Sequence, residues 1–156
     1  MRDIIEIFTL LGKRLENFGK DAESKAIINS AIEQNVWFTQ PDIERAVEAI
    51  RLDMLQPYNL TKWLSNYHRA HNPKRVAIIM AGNIPLVGFF DLLCVLCSGN
   101  EAHIKPSTKD RVLTRYIVDL LRDIEPSIPI YDYLESEHYD MAIATGGEDA
   151  NRYFES

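Results

Sequence analysis

The chain is short of cysteine. Cys94 and Cys97 are its only two thiols, both inside an apolar segment, and they offer no disulfide framework. It also lacks an excess of basic charge: 17 basic against 23 acidic residues leave a formal charge of −6. With no Lys/Arg run and no basic-aromatic stripe, no footprint for a phosphate backbone exists, and nucleic acid is not an expected partner. The opening "MRDIIEIFTLLGKRLENF" carries charges inside its first apolar segment. It is therefore neither a secretory signal nor a membrane span, and a cytoplasmic protein is the expectation. The four histidines, His68, His71, His103 and His138, fall at no metal-ligand spacing. One C-x-x-C with His103 does not make four ligands, so no metal site is expected. A G-x-G-x-x-G fingerprint, internal repeats and low-complexity tracts are all missing.

What is present falls into two patterns. Residues 1–72 read as a helical region. Ile4, Ile5, Phe8, Leu11 and Leu15 recur at helical spacing. A second helix is expected from Asp21 with Ala26, Ile27, Ser30 and Ala31 on one face. In "TQPDIERAVEAI", Thr39 is the candidate cap, Pro41 lies in the first turn, and Ile43, Ala46, Val47 and Ile50 form the buried stripe. Pro57 is expected to stop that helix, and Asn59 to cap a short one. "HNPKR" is the joint in the chain.

Residues 73–156 change register. "RVAIIM" is a β-branched run without alternation, as in a strand buried on both faces of a parallel sheet. An apolar helix is expected from about Pro85 to Cys97, then a strand "EAHIKP" and an amphipathic helix with Val112, Tyr116, Val118, Leu120 and Leu121 inward. "SIPIYDYL" is a weaker strand, and "YDMAIATGG" a clear one running into a helix start at "EDANRYF". This order predicts an α/β fold: a helical region followed by part of a doubly wound, mainly parallel, Rossmann-like sheet with right-handed crossovers. A covering helix that stops at Ser156 suggests a chain continuing into a further domain.

In open α/β sheets, ligands bind beyond the carboxyl ends of the strands. Three turns qualify: Ala81-Gly82-Asn83, Lys105-Pro106-Ser107 and Thr145-Gly146-Gly147. Each has an ordinary structural reading. Asn83 can be a helix cap followed by Pro85, Lys105 a solvated strand-end lysine, and Gly146-Gly147 a tight turn. Their shared location is what points to a nucleotide site.

"GNIPLVGFFDLLCVLCSGNEAHIKPS" resembles the strand-Asn-x-Pro-helix-"GN"-strand-"KPS" segment of the aldehyde dehydrogenase superfamily. It is most similar there to the acyl-CoA reductase family, the fatty-acid reductases of bacterial bioluminescence. "IATGGEDANRYF" resembles that family's glycine-rich turn and the helix after it. The resemblance implies that Asn83 donates to the oxyanion formed when a cysteine attacks the carbonyl. It implies that Lys105 in the Lys105-Pro106-Ser107 turn bonds the adenosine ribose, and that Gly146 and Gly147 lie at the pyrophosphate. Thr108 stands where NAD-preferring relatives often carry Glu, which removes a carboxylate that would repel a 2′-phosphate. Lys109 and Arg111 are near enough in sequence to pair with that phosphate, so NADPH is expected over NADH. Gly147 and Asn151 replace the Ser and later Gly that relatives often carry.

The resemblance also implies an acyl-CoA or acyl-protein thioester substrate and a catalytic domain lying beyond this segment. Cys94 and Cys97 fall at the wrong place for the family nucleophile and are flanked by Leu93, Val95 and Leu96. A core role is therefore expected for them, and the segment by itself is expected to be inactive. Two other readings stay open: a stand-alone nucleotide-binding or interaction module, and part of a semialdehyde or acyl-phosphate reductase. Superfamily members commonly associate, so a homo-oligomer is a further possibility.

Overall fold

A computed structural model describes residues 1–146. Ten helices and strands follow in order. They are α1 (Ile4–Arg14), α2 (Ala22–Gln34), α3 (Gln40–Ala49), α4 (Pro57–Leu64), β1 (Arg75–Ile79), α5 (Phe89–Cys97), β2 (Glu101–Lys105), α6 (Arg111–Ile124), β3 (Ile130–Asp132) and β4 (Met141–Ala144). The four strands form one parallel sheet in the order β3-β2-β1-β4. The expected α/β fold is thus present.

Strand register sets two unlike faces. In-register partners share a side, so Val76, Ala102 and Ile130 point one way with Ile78 and Ile104. These five residues join the hydrophobic core. The chain steps from β1 to β2 to β3 in one direction, so right-handed crossovers put α5 and α6 together over this face. After β3 the direction reverses to reach β4. The same rule sends residues 133–140 across the opposite face, where Arg75, Glu101, His103 and Tyr131 lie. Tyr139 there packs on His103 at 5.1 Å between ring centres, and Tyr131 stacks on His103 at 5.0 Å.

The N-terminal helices form a further layer, packed on the crossover helices: α1 contacts α5 and α6, and α2 contacts α6. Ile7, Phe8 and Leu11 are fully buried, and Phe8 meets Phe89 of α5 edge-on at 6.3 Å. One hydrophobic core runs through both halves.

Local signals placed two helix starts as expected. Thr39 caps α3 by accepting from the Asp42 N–H (3.3 Å), and Asp21 caps α2 by accepting from Ser24 (2.7 Å). Four expectations need correction. On α2 the buried face is Ser24, Ile28 and Ala31, because Ser24 turns inward to bond Asp21; Ala26 and Ser30 are exposed. Pro57 opens α4 at its first turn and does not end α3, which continues through a π-helical turn at Ile50–Met54. Asn59 accordingly lies inside α4, where Gln56 is the preceding cap position. On α6 the buried face is Leu113, Thr114, Ile117, Val118, Leu121 and Ile124; Val112, Tyr116 and Leu120 line its flank, partly buried.

Candidate functional site

β1 is where the sheet's connections part, one set of crossovers running to β2 and β3 and the chain returning on its other side to β4. A crevice therefore opens beyond the carboxyl ends of β1 and β4, the usual place for a ligand in such sheets. The ladder extends one residue into it on both sides. Met80 N–H donates to the Lys105 carbonyl (3.0 Å) and Thr145 N–H to the Ile79 carbonyl (3.2 Å).

The three strand-end turns meet there at close range. A Cβ on Gly82 would lie 2.3 Å from Ser107 Oγ and 3.0 Å from Lys109 Cβ, so the Ala81-Gly82-Asn83 turn seats on the Ser107–Lys109 turn only without a side chain. Gly146 has φ +129° and approaches Ala81 so closely that a Cβ would be 3.3 Å from the Ala81 methyl. Gly147, Asn151 and the helix start at "EDANRYF" lie outside the described residues.

Asn83 is exposed, and its carboxamide makes no hydrogen bond among the described residues. It is not a helix cap. α5 begins at Phe89 after Gly88, so the expected start near Pro85 is four residues early. The cause is Leu86, whose φ of +58° breaks any helical path from Asn83. Lys105, half-buried at the end of β2, holds its ammonium 5.7 Å from the centre of the Tyr133 ring. Ser107 Oγ accepts from the Lys109 N–H (3.2 Å), which closes the turn. Thr108 is exposed at its tip. Lys109 lies over the Trp37 ring at 5.5 Å, and Asn35 Nδ2 donates to the Lys109 carbonyl (3.4 Å). Arg111 lines the groove between α6, α1 and α2, so of the two cations expected at the 2′-phosphate only Lys109 lies on the turn.

The α2–α3 connection and Asp110 were not foreseen as parts of this site. Nothing in the local spacing of Asn35 and Trp37 points to a turn seventy residues on. Asp110 is buried, and its Oδ2 accepts from the Leu86 N–H (2.7 Å). Burial pushes its carboxyl up to about 7, with the Leu86 N–H pulling the other way.

Of the two thiols expected in the core, only Cys97 joins it. Cys97 is buried and Cys94 half-buried, both on α5 and both free. Burial drives the Cys97 thiol up to about 12, with Cys94 adding to it. Burial raises the Cys94 thiol too, followed by the Asp91 charge. Neither is poised as a thiolate nucleophile. No group of three or more His, Cys, Asp or Glu among the described residues could hold a metal ion, and no helix among them is long and apolar enough to cross a membrane.

Comparison with known proteins places the chain among acyl reductases. A long-chain acyl-protein thioester reductase of Photorhabdus laumondii subsp. laumondii is 26% identical over 110 residues, 58% of this chain and 23% of that protein. One from Aliivibrio fischeri is 26% identical over 126 residues, 68% of this chain and 26% of the relative. The chain thus spans about a quarter of the length of the curated relatives it matches. The profile described as acyl-CoA reductase (LuxC) matches residues 19–151, and the chain belongs to that family.

Proposed function

We propose that this chain is the N-terminal, cofactor-binding portion of an NADPH-dependent reductase that converts an acyl thioester, on coenzyme A or a protein, to an aldehyde. The observation that carries the reading is the meeting of three turns at the parting of the sheet's connections, with the exposed Asn83 following directly on the Gly82 that seats on the Ser107–Lys109 turn. One observation supports a dinucleotide there. The Thr145 hydroxyl oxygen at the end of β4 is buried and has no partner among the described residues, so a phosphate oxygen there would satisfy it.

NADPH would supply hydride to the acyl carbon. The residues of this chain bind and orient. Asn83 offers Nδ2–H to the oxygen that becomes negative as the carbonyl is attacked, in an exposed position that substrate would close off from water. Lys105 donates to a ribose hydroxyl. Thr108 leaves room for a 2′-phosphate, and Lys109 supplies the positive charge. The Gly146 turn lets backbone approach the pyrophosphate. The attacking thiolate would come from outside this segment, since burial raises both the Cys94 and the Cys97 thiol above the ordinary cysteine range.

Calorimetry with NADPH and NADH tests the cofactor assignment; tighter binding of NADH overturns it. Turnover of acyl-CoA and NADPH by residues 1–156 alone would overturn the division of labour. In the full-length protein, Asn83→Ala is expected to lower kcat by roughly 10²–10³ with the substrate KM little changed.

A further inference from the structure

Asp110 occupies the residue before α6, where an aspartate ordinarily caps the helix. It does not do so. Its side chain makes no bond to the α6 N–H groups, and the Val112 N–H is taken instead by Gln34 Oε1 of α2 (3.2 Å). The Asp110 carboxylate turns away from its own helix to the Leu86 N–H, 24 residues back, at 2.7 Å. It is 2% exposed, and its second oxygen is buried with no partner among the described residues. Burying a carboxyl group in this way opposes folding unless the geometry it fixes repays it.

That geometry is unusual. Leu86 is the one non-glycine residue with positive φ among those described, and its side chain is buried. Leucine seldom takes this conformation without outside restraint. Asn83 lies between two points, and both are fastened to the same short segment. On one side Gly82 seats on Ser107 and Lys109; on the other Leu86 is tied to Asp110.

We propose that Asp110 is a positioning residue. Its bond to Leu86 N–H holds the Asn83 loop in register with the Lys105–Lys109 turn, so that the oxyanion donor and the cofactor-binding turn move as one body. This rests on the function proposed above for Asn83. The tie itself stands on geometry alone.

The test uses the full-length protein with acyl-CoA and NADPH. Asp110→Ala, Asp110→Asn and Asn83→Ala are compared, together with the Asp110→Ala/Asn83→Ala pair. Hydrogen exchange is followed on the peptide spanning residues 83–88. In Asp110→Ala, exchange in that peptide is expected to rise tenfold or more while β1 and β2 stay within about twofold. The kcat should fall about tenfold with little change in KM. Asp110→Asn, whose amide oxygen still accepts the Leu86 N–H, should restore exchange and most of kcat. In the Asn83→Ala background, Asp110→Ala should cost almost nothing further. Unchanged exchange at residues 83–88 in Asp110→Ala overturns the tie. Full additivity of the two substitutions overturns the positioning role. If Asn83→Ala leaves kcat unchanged while exchange responds to Asp110→Ala, the oxyanion reading fails and the tie survives.

Discussion

The two faces of the sheet are built on different chemistry. Toward α5 and α6, β1–β3 present Val76, Ile78, Ala102, Ile104 and Ile130, all buried and aliphatic. Toward the β3–β4 segment they present Arg75, Glu101, His103 and Tyr131 beside the buried Ala77 and Ile79, joined there by Tyr139. On that second face His103 Nε2 lies 3.1 Å from Glu101, and Arg75 stacks over Tyr139 at 5.2 Å while bonding the His138 carbonyl (2.8 Å). Over β1–β3 one face is held by area removed from water alone, and the other combines the buried Ala77 and Ile79 with directional contacts toward its rim. The first should dominate stability, because apolar burial with a close-packed cavity cost exceeds pairwise polar terms.

The largest effect is therefore expected at Ile104→Ala. Ile104 is 1% exposed in the helix-covered face, and its truncation should cost about 2–5 kcal/mol in denaturant unfolding. A loss under 1 kcal/mol would break the proposed contrast.

Next comes the strand-end loop, where Asp110 gives a pH dependence of definite sign. Its carboxyl titrates near 3.8 when unfolded and at about 7 when folded. Below pH 4 it is protonated in both states and its contribution to stability is complete. As pH rises toward 7 the unfolded chain releases the proton and the folded chain keeps it, so stability falls. The exposed, hydrogen-bonded carboxylates Asp21, Glu48 and Glu125 are shifted the opposite way. The informative quantity is thus the difference between Asp110→Asn and wild type. It should move in favour of the variant by roughly 2–4 kcal/mol between pH 4 and 7. A difference that is flat with pH would show that the carboxyl is not held protonated.

How much was legible follows the same division. The apolar "VAII" that follows Arg75 in β1 and the alternating "EAHIK" of β2 each announce their surroundings, a stretch covered on both sides and a strand with unlike faces. The Thr39 cap was readable because its donor lies three residues away. On α6, Val118 and Leu121 are buried as expected, but the rest of the face was misplaced because Val112, Tyr116 and Leu120 form a second apolar stripe beside Leu113, Ile117 and Leu121. Spacing alone does not rank two overlapping stripes. Asn83-Ile84-Pro85 carries a cap residue and a first-turn proline, yet the helix waits until Phe89 because a long-range bond fixes Leu86 with positive φ. Sequence could suggest that three turns share the strand ends. It could not show that Asp110 ties two of them, since an aspartate before a helix already has a sufficient local explanation.

On the directional face the effects should be smaller. His103→Ala removes stacking on Tyr131 and Tyr139 and the contact with Glu101, and about 1–2 kcal/mol is expected from thermal unfolding. If it matches Ile104→Ala, the two faces contribute alike and the contrast fails.

The smallest effect belongs to the rim of the same face. Glu137 meets Arg75 at 3.1 Å, but both side chains are more than a third exposed. Water and salt screen the pair, and two long side chains lose freedom in forming it, so Glu137→Gln should change stability by less than about 1 kcal/mol. What difference exists should shrink further between 0.01 and 1 M salt, as the screening length falls from roughly 30 to 3 Å. Arg75 retains the His138 carbonyl and the Tyr139 ring after the substitution, so the segment over the sheet should stay in place. A salt-insensitive loss above 2 kcal/mol would mean that the ion pair, and not the aromatic stack around His103, closes this face.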